Sequence, residues 1–152
     1  MTYTCIMGLD PGMSGAVAFY YPDKPQLIAA YDVPLAARQI NPAALYDLIR
    51  QHGPDMAVVE IVHAMPKQGV SSSFNFGMSY GIALGVIGAL KIPVVHVSPG
   101  KWKKYFGLTA DKEQSRKLAI DKWPGCEHFR RKKDNGRGEA ALMALYGAQT
   151  QR

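Results

Sequence analysis

Short apolar runs fill the first part of this chain, and a longer rhythm takes over afterwards. Residues 4–9 form an apolar run that ends at Asp10, where Pro11-Gly12 turns the chain. Residues 15–21 and 26–33 read as two further strands, joined through Asp23-Lys24-Pro25. Three strands linked by short turns predict an antiparallel meander. A helical stripe of Leu45, Leu48 and Ile49 follows, opened by Asn41-Pro42 and closed by Gly53. Residues 56–61 are a continuous apolar run interrupted by one acid, Glu60, which predicts a central buried strand. The pattern then predicts a loop over 62–73, a helix over 74–90 and a buried strand over 93–97. Ser98-Pro99 opens a short helix to 105, and Asp111 opens another to 123 with Gln114 at capping-box spacing. The last helix is predicted over 136–150. Meander first and strand–helix alternation afterwards give an α/β class: a mixed sheet with helices on both faces, in one domain over 1–152.

Composition narrows the partner more than the fold. The 152 residues suit one core, and the net charge of +6 favours a polyanion, although a basic soluble protein would show the same surplus. Two cysteines, Cys5 and Cys126, lie far apart without CxxC spacing, which excludes a disulfide framework and a zinc site. The first residues lack the basic start and apolar core of a signal peptide, and the weakly polar stretch 74–90 is short and rich in Gly and Ser for a membrane span. A cytoplasmic protein without membrane contact is expected.

Three acids stand where propensity does not ask for them. Asp10 ends the first strand, Glu60 lies near the end of a central strand, and Glu139 shares the stripe of Leu142, Met143 and Tyr146 on the last helix. Asp134 precedes that helix. Buried carboxylates that converge raise one another's pKa unless a cation is present, and hard Mg²⁺ answers that need. Two such ions would activate a water and stabilise the leaving oxygen of a phosphodiester. Bland readings stand beside these. Asp10 before Pro-Gly also suits a turn, Glu139 a helix N-terminus, and Asp134 the neutralisation of Arg130, Arg131, Lys132 and Lys133. Glu60 has no such structural excuse.

The ordered motifs carry a resemblance. Gly8-Leu9-Asp10-Pro11-Gly12-Met13-Ser14-Gly15-Ala16 resembles the first-strand motif of RuvC-type nucleases in the ribonuclease H-like superfamily, and Val58-Val59-Glu60 resembles their second acidic motif. Lys132-Lys133-Asp134-Asn135-Gly136-Arg137-Gly138-Glu139-Ala140 is similar to the C-terminal motif of the phage and plant-chloroplast resolvases of that family. The glycine-rich stretch 74–81 and the segment 98–107, with Lys101-Trp102-Lys103-Lys104, are also similar. The first motif alone is shared with actin-like and sugar-kinase ATPases; the ordered set is specific. The resemblance implies a ribonuclease H-like mixed five-stranded sheet, a homodimer, and cleavage of four-way (Holliday) junctions and related branched DNA with Mg²⁺ or Mn²⁺, two ions per site. It implies Asp10, Glu60, Asp134 and Glu139 as catalytic acids and metal ligands. Two departures are visible. The last two acids are five residues apart where bacterial RuvC proteins space theirs by three, and Asn135 stands where phage relatives carry His.

Candidate DNA contacts cluster by segment. Lys101, Lys103 and Lys104 share one helix, Lys112, Arg116 and Lys117 the next, and Arg130, Arg131, Lys132 and Lys133 precede the last acids. Phosphate contacts from these would supply salt-dependent affinity, and Lys132 or Lys133 would stabilise transition-state charge. A solvated charged face is the alternative. In the loop after Glu60, Lys67 and Ser72 are further phosphate candidates, and Phe74 or Phe76 a base-stacking one, with core burial favoured for Phe76. His63 reads as structural, with a ligand or base role as the alternative. Gly77, Gly81, Gly85 and Ala89 recur every four residues, a ridge suited either to a second copy or to packing on its own sheet. Trp102 and Trp123 read as packing residues, with DNA contact an alternative for Trp102. An actin-like ATPase is disfavoured because a second phosphate-binding Asp-x-Gly is missing, so no nucleotide cofactor is expected. Two rivals share the motifs: a junction-binding protein that does not cut, and a broader fork or flap nuclease.

Overall fold

A computed structural model describes residues 2–61 and 66–151. The elements are β1 (Ile6–Leu9), β2 (Ala16–Tyr20), β3 (Ile28–Asp32), β4 (Leu35–Ala36), β5 (Gln39–Ile40), α1 (Pro42–His52), β6 (Met56–Glu60), α2 (Val70–Ala89), β7 (Val94–Val97), α3 (Pro99–Tyr105), α4 (Lys112–Lys122) and α5 (Asn135–Thr150). Two 3-10 turns, Glu127–Phe129 and Lys132–Asp134, lead into α5. The main sheet has the order β3-β2-β1-β6-β7. The meander β1-β2-β3 is antiparallel, whereas β1-β6 and β6-β7 are parallel. The mixed sheet expected from the pattern is therefore present, with the five strands that the resemblance implies.

Alternation along the strands builds two cores, one on each face. Ile6, Ala16, Ala18, Met56, Val58 and Val97 face α5, together with Trp102, Ala119 and Trp123. Met7, Leu9, Val17, Phe19, Ala57 and Val59 face the other way, onto Leu45 and Ile49 of α1 and Ala83, Val86 and Ile87 of α2. α5 lies across β1, β2, β3 and β6 and against α4. It comes this close because Gly8 has no side chain. A Cβ there would fall on the Ala140 carbonyl oxygen and 2.7 Å from the Ala144 nitrogen.

Local chemistry sets the helix ends. The Asn41 side chain accepts from the Ala44 N–H, and Gly53 closes α1 at φ 60°. The Ser98 side chain accepts from the Lys101 N–H at the start of α3. Asp111 caps α4, but Gln114 does not complete a capping box: its Oε1 accepts from the backbone N–H and the hydroxyl of Thr109 instead. Helix α2 starts at Val70, a turn before the predicted position. The hairpin β4-β5 was not foreseen; its turn residues Ala37 and Arg38 adopt φ 50° and 64° without a glycine to signal them. Among the described residues, no helix is long and apolar enough to cross a membrane.

Candidate active site

The rows of side chains facing α5 run on past the ends of two strands. On β1 the row is Ile6, Gly8 and then Asp10; on β6 it is Met56, Val58 and then Glu60. The parallel register pairs Leu9 with Val59, so Asp10 and Glu60 occupy the next position on neighbouring strands. Both acids leave the sheet at the carboxyl ends of parallel strands, on the face that α5 covers. Glu139, in the first turns of α5, completes the group from above.

Each acid is held differently. Asp10 is half-buried, and its Oδ1 accepts from the Gly12 N–H at 3.1 Å. Glu60 accepts from the indole Nε1–H of Trp102 at 2.9 Å through Oε2, while among the described residues Oε1 has no hydrogen bond. Glu139 is buried; its Oε2 lies 3.2 Å from Lys103 Nζ and 3.5 Å from the Ser115 hydroxyl. Burial pushes the Glu60 carboxyl up to about 7, the nearby charges of Asp10 and Glu139 add to this, and the Trp102 hydrogen bond and Lys103 partly oppose it. Glu60 thus feels the charge of both other acids.

Asp134 is separate from this group. Its buried carboxylate accepts from Arg131 through the side chain and the backbone N–H, and Arg137 lies 3.7 Å away. Burial raises its pKa, but the Arg131 hydrogen bonds and the two arginine charges outweigh that and hold it below the usual carboxylate range. Arg137 also pairs with Asp32 on β3, so this network ties the start of α5 to the edge of the meander.

A cleft of ≈ 630 Å³ opens at the acids, with Asp10, Glu60, Ser72, Asn75, Phe76 and Lys112 in its wall. Ser72 and Phe74 are exposed on the first turns of α2, and Phe74 is 66% accessible. Lys67, Lys101, Lys104, Lys112, Lys117, Arg130, Lys132 and Lys133 are exposed as well. Lys103 pairs with Glu139, and Lys112 lines the cleft beside Asp10 and Glu60. Arg116 is already engaged, since its guanidinium pairs with Glu113 and donates to the carbonyls of Phe129 and Arg130 at 2.9 Å. His63 lies outside the described residues. Trp102 is fully buried, and its link to Glu60 is what the sequence reading missed. The available signal was a tryptophan set among three lysines on a short helix.

Among the described residues, no three of His, Cys, Asp and Glu stand close enough to hold one metal ion jointly. The donor chemistry nonetheless fits a hard divalent cation. It consists of carboxylates only, one oxygen of Glu60 has no hydrogen bond among the described residues, and burial with two neighbouring acids raises that carboxyl's pKa, a shift that a bound cation would oppose.

No family model matches the chain. The crossover junction endodeoxyribonuclease RuvC of Nitratidesulfovibrio vulgaris is 38% identical over 72 residues. That segment covers 46% of this chain and 42% of the relative, less than half of either. Among solved structures, the fold is similar to Thermus thermophilus RuvC in complex with a Holliday junction substrate, with a TM-score of 0.66 at 13% identity over 97% of this chain and 96% of that one. A second Thermus thermophilus RuvC structure gives 0.63 at 14% identity, with 95% of each chain covered. The yeast mitochondrial Holliday junction resolvase gives 0.54 at 15% identity over 91% of this chain and 76% of that one. The chain therefore has the RuvC form of the ribonuclease H-like fold.

Proposed function

We propose that this protein is a metal-dependent endonuclease that recognises branched DNA and resolves four-way junctions by paired phosphodiester hydrolysis. One observation carries the reading: Asp10 and Glu60 stand side by side at the carboxyl ends of neighbouring parallel strands, within electrostatic reach of each other and, for Glu60, of Glu139 on α5, which pairs with Lys103. The partial sequence match to a RuvC protein and the fold of a RuvC seen on a junction substrate support it.

Asp10, Glu60 and Glu139 would hold Mg²⁺ or Mn²⁺, with two ions per site as the resemblance implies. Such cations would supply Lewis-acid polarisation of the phosphodiester and make water a better nucleophile. The chain's own residues do the rest. Lys103 brings a cation to where charge develops on the phosphate. The exposed lysines of α3 and α4 and the 130–133 segment hold flanking phosphates, and Lys67 and Ser72 reach them from the start of α2. Phe74, exposed on the first turns of α2, offers a face on which an unpaired base at the junction centre would stack. Asp134 we assign to holding α5 through its arginines rather than to the metal. The cytoplasm, expected from the sequence, is the proposed site of action.

Two-fold symmetric cutting calls for a dimer, and helix α2 offers the surface. Gly77, Gly81, Gly85 and Ala89 are exposed, and a Cβ at any of the three glycines would meet nothing within 4 Å. The ridge is not used in packing on its own sheet.

The test is a labelled four-way junction beside fork, flap and linear duplex, in Mg²⁺, Mn²⁺ or EDTA. Paired symmetric nicks in the junction, present only with metal, are expected. A second reading, binding without cutting, draws on the Lys103–Glu139 ion pair, which already neutralises one acid. Tight junction binding without nicks in either metal would replace the first reading with the second. Equal cutting of forks and flaps would widen the substrate class.

A further inference from the structure

Two adjacent residues of α3 reach two different acids. Lys103 places its ammonium on Glu139, and Trp102 donates its indole N–H to Glu60, 42 residues away in sequence. The two contacts are chemically unlike. An ammonium neutralises the carboxylate it touches. An indole N–H is donor-only and uncharged, so it orients a carboxylate without cancelling its charge.

We propose that Trp102 is a positioning residue: its indole N–H fixes one oxygen of Glu60 and leaves the other free for the divalent cation. This rests on the metal-dependent reading above. Three observations argue for it. Trp102 is fully buried in the core beneath α5, so its ring cannot turn away without disturbing that core. The helix that carries it is anchored by the Ser98 cap at its start and by the Phe106 N–H, which bonds to the Trp102 and Lys103 carbonyls at its end. The bond uses Oε2 and leaves Oε1 without a partner among the described residues. A buried indole N–H needs an acceptor, and here that acceptor is one of the acids at the mouth of the site rather than a backbone carbonyl as for Trp123. Partners that orient metal-binding carboxylates in this way typically contribute about 10–100-fold to metal affinity.

The chain contains two tryptophans, and the other is a built-in control. Trp123 donates its indole N–H to the Pro25 carbonyl at 3.0 Å, away from the acids. A ¹H–¹⁵N correlation spectrum of the labelled protein should show two indole signals, with Trp123→Phe removing one and thereby assigning both. Glu60→Ala should move the Trp102 signal and leave that of Trp123 in place. Mg²⁺ titration of the wild type should move the Trp102 signal, and Asp10→Asn should weaken that response. Trp102→Phe keeps the ring and loses the donor. It should weaken Mn²⁺ binding, read by the electron paramagnetic signal of free Mn²⁺, by roughly tenfold or more, with junction binding in EDTA unchanged.

A Trp102 signal indifferent to Glu60→Ala, or unmoved by Mg²⁺, overturns the proposal. So does wild-type Mn²⁺ affinity in folded Trp102→Phe. Should that variant fail to fold, the spectra of the wild type and Glu60→Ala still decide. The two readings fail separately. Junction cutting with a silent Trp102 signal overturns the positioning role alone. A responsive Trp102 signal in a protein that cuts no junction overturns the nuclease reading alone.

Discussion

At Glu60 a carboxyl sits among apolar neighbours and two other acids, and its proton is the cheapest way to avoid buried negative charge. Unfolded, it ionises at the ordinary 4.5; folded, it holds its proton to about 7. Between those values the folded state binds more protons than the unfolded one. The associated stability is therefore complete at low pH and falls as pH rises through this window, by about 3 kcal/mol at most. A bound divalent cation reverses that slope, because it favours the ionised form and releases the proton. Melting curves in EDTA and in Mg²⁺ across this range should show a metal-induced rise in Tm that grows with pH. Glu60→Gln should flatten the EDTA profile and lower junction cutting by more than about 100-fold. Asp134 should behave in the opposite way. With Arg131 and Arg137 as its partners, Asp134→Asn should cost about 1–3 kcal/mol of stability and leave the Mg²⁺ concentration for half-maximal cutting nearly unchanged. A large rise in that concentration would return Asp134 to the ligand set.

Helix α5 and strand β1 together set the site. The helix lies on the strand because Gly8 leaves room for Ala140 and Ala144, and Glu139 reaches Asp10's end of the sheet only at that separation. Gly8→Ala should push α5 off the sheet, cost about 1–3 kcal/mol or more, and reduce cleavage beyond what the lost stability explains; circular dichroism melting and cleavage assays would separate the two effects. Most elements were legible in the sequence because each local rule agreed with its neighbours. Asn41-Pro42 and Gly53 bound α1 as the caps require, and the run with one acid at 56–61 became β6. What escaped had a physical reason. Helix α2 begins within a serine-rich stretch at Gly69, which caps it without a side chain, so no sequence signal marks the start. Of the site, Asp10 and Glu60 could be read from strand ends and Glu139 from its helical stripe. The arginine partners of Asp134 and the indole on Glu60 could not, because both depend on tertiary neighbours that spacing does not reveal.

The whole molecule presents two distinct surfaces, the basic cleft side and the glycine ridge of α2. Gly81→Leu adds bulk where nothing of the same chain lies within 4 Å, so the protomer should keep its stability while the proposed dimer dissociates. Sedimentation should then report a monomer, and paired nicking should give way to single nicks. Junction affinity should fall steeply with salt, as expected when lysines displace counterions from phosphates. The docking of α5 has one more consequence. Asp10 and Glu139 are far apart in sequence, and the helix that carries Glu139 contacts all three strands of the meander. Contacts so distant in sequence form late. During synthesis on the ribosome the emerging meander would carry Asp10, and later Glu60, without Glu139 or its lysine. A growing polypeptide would lack the complete group of acids until α5 has emerged and docked on the meander.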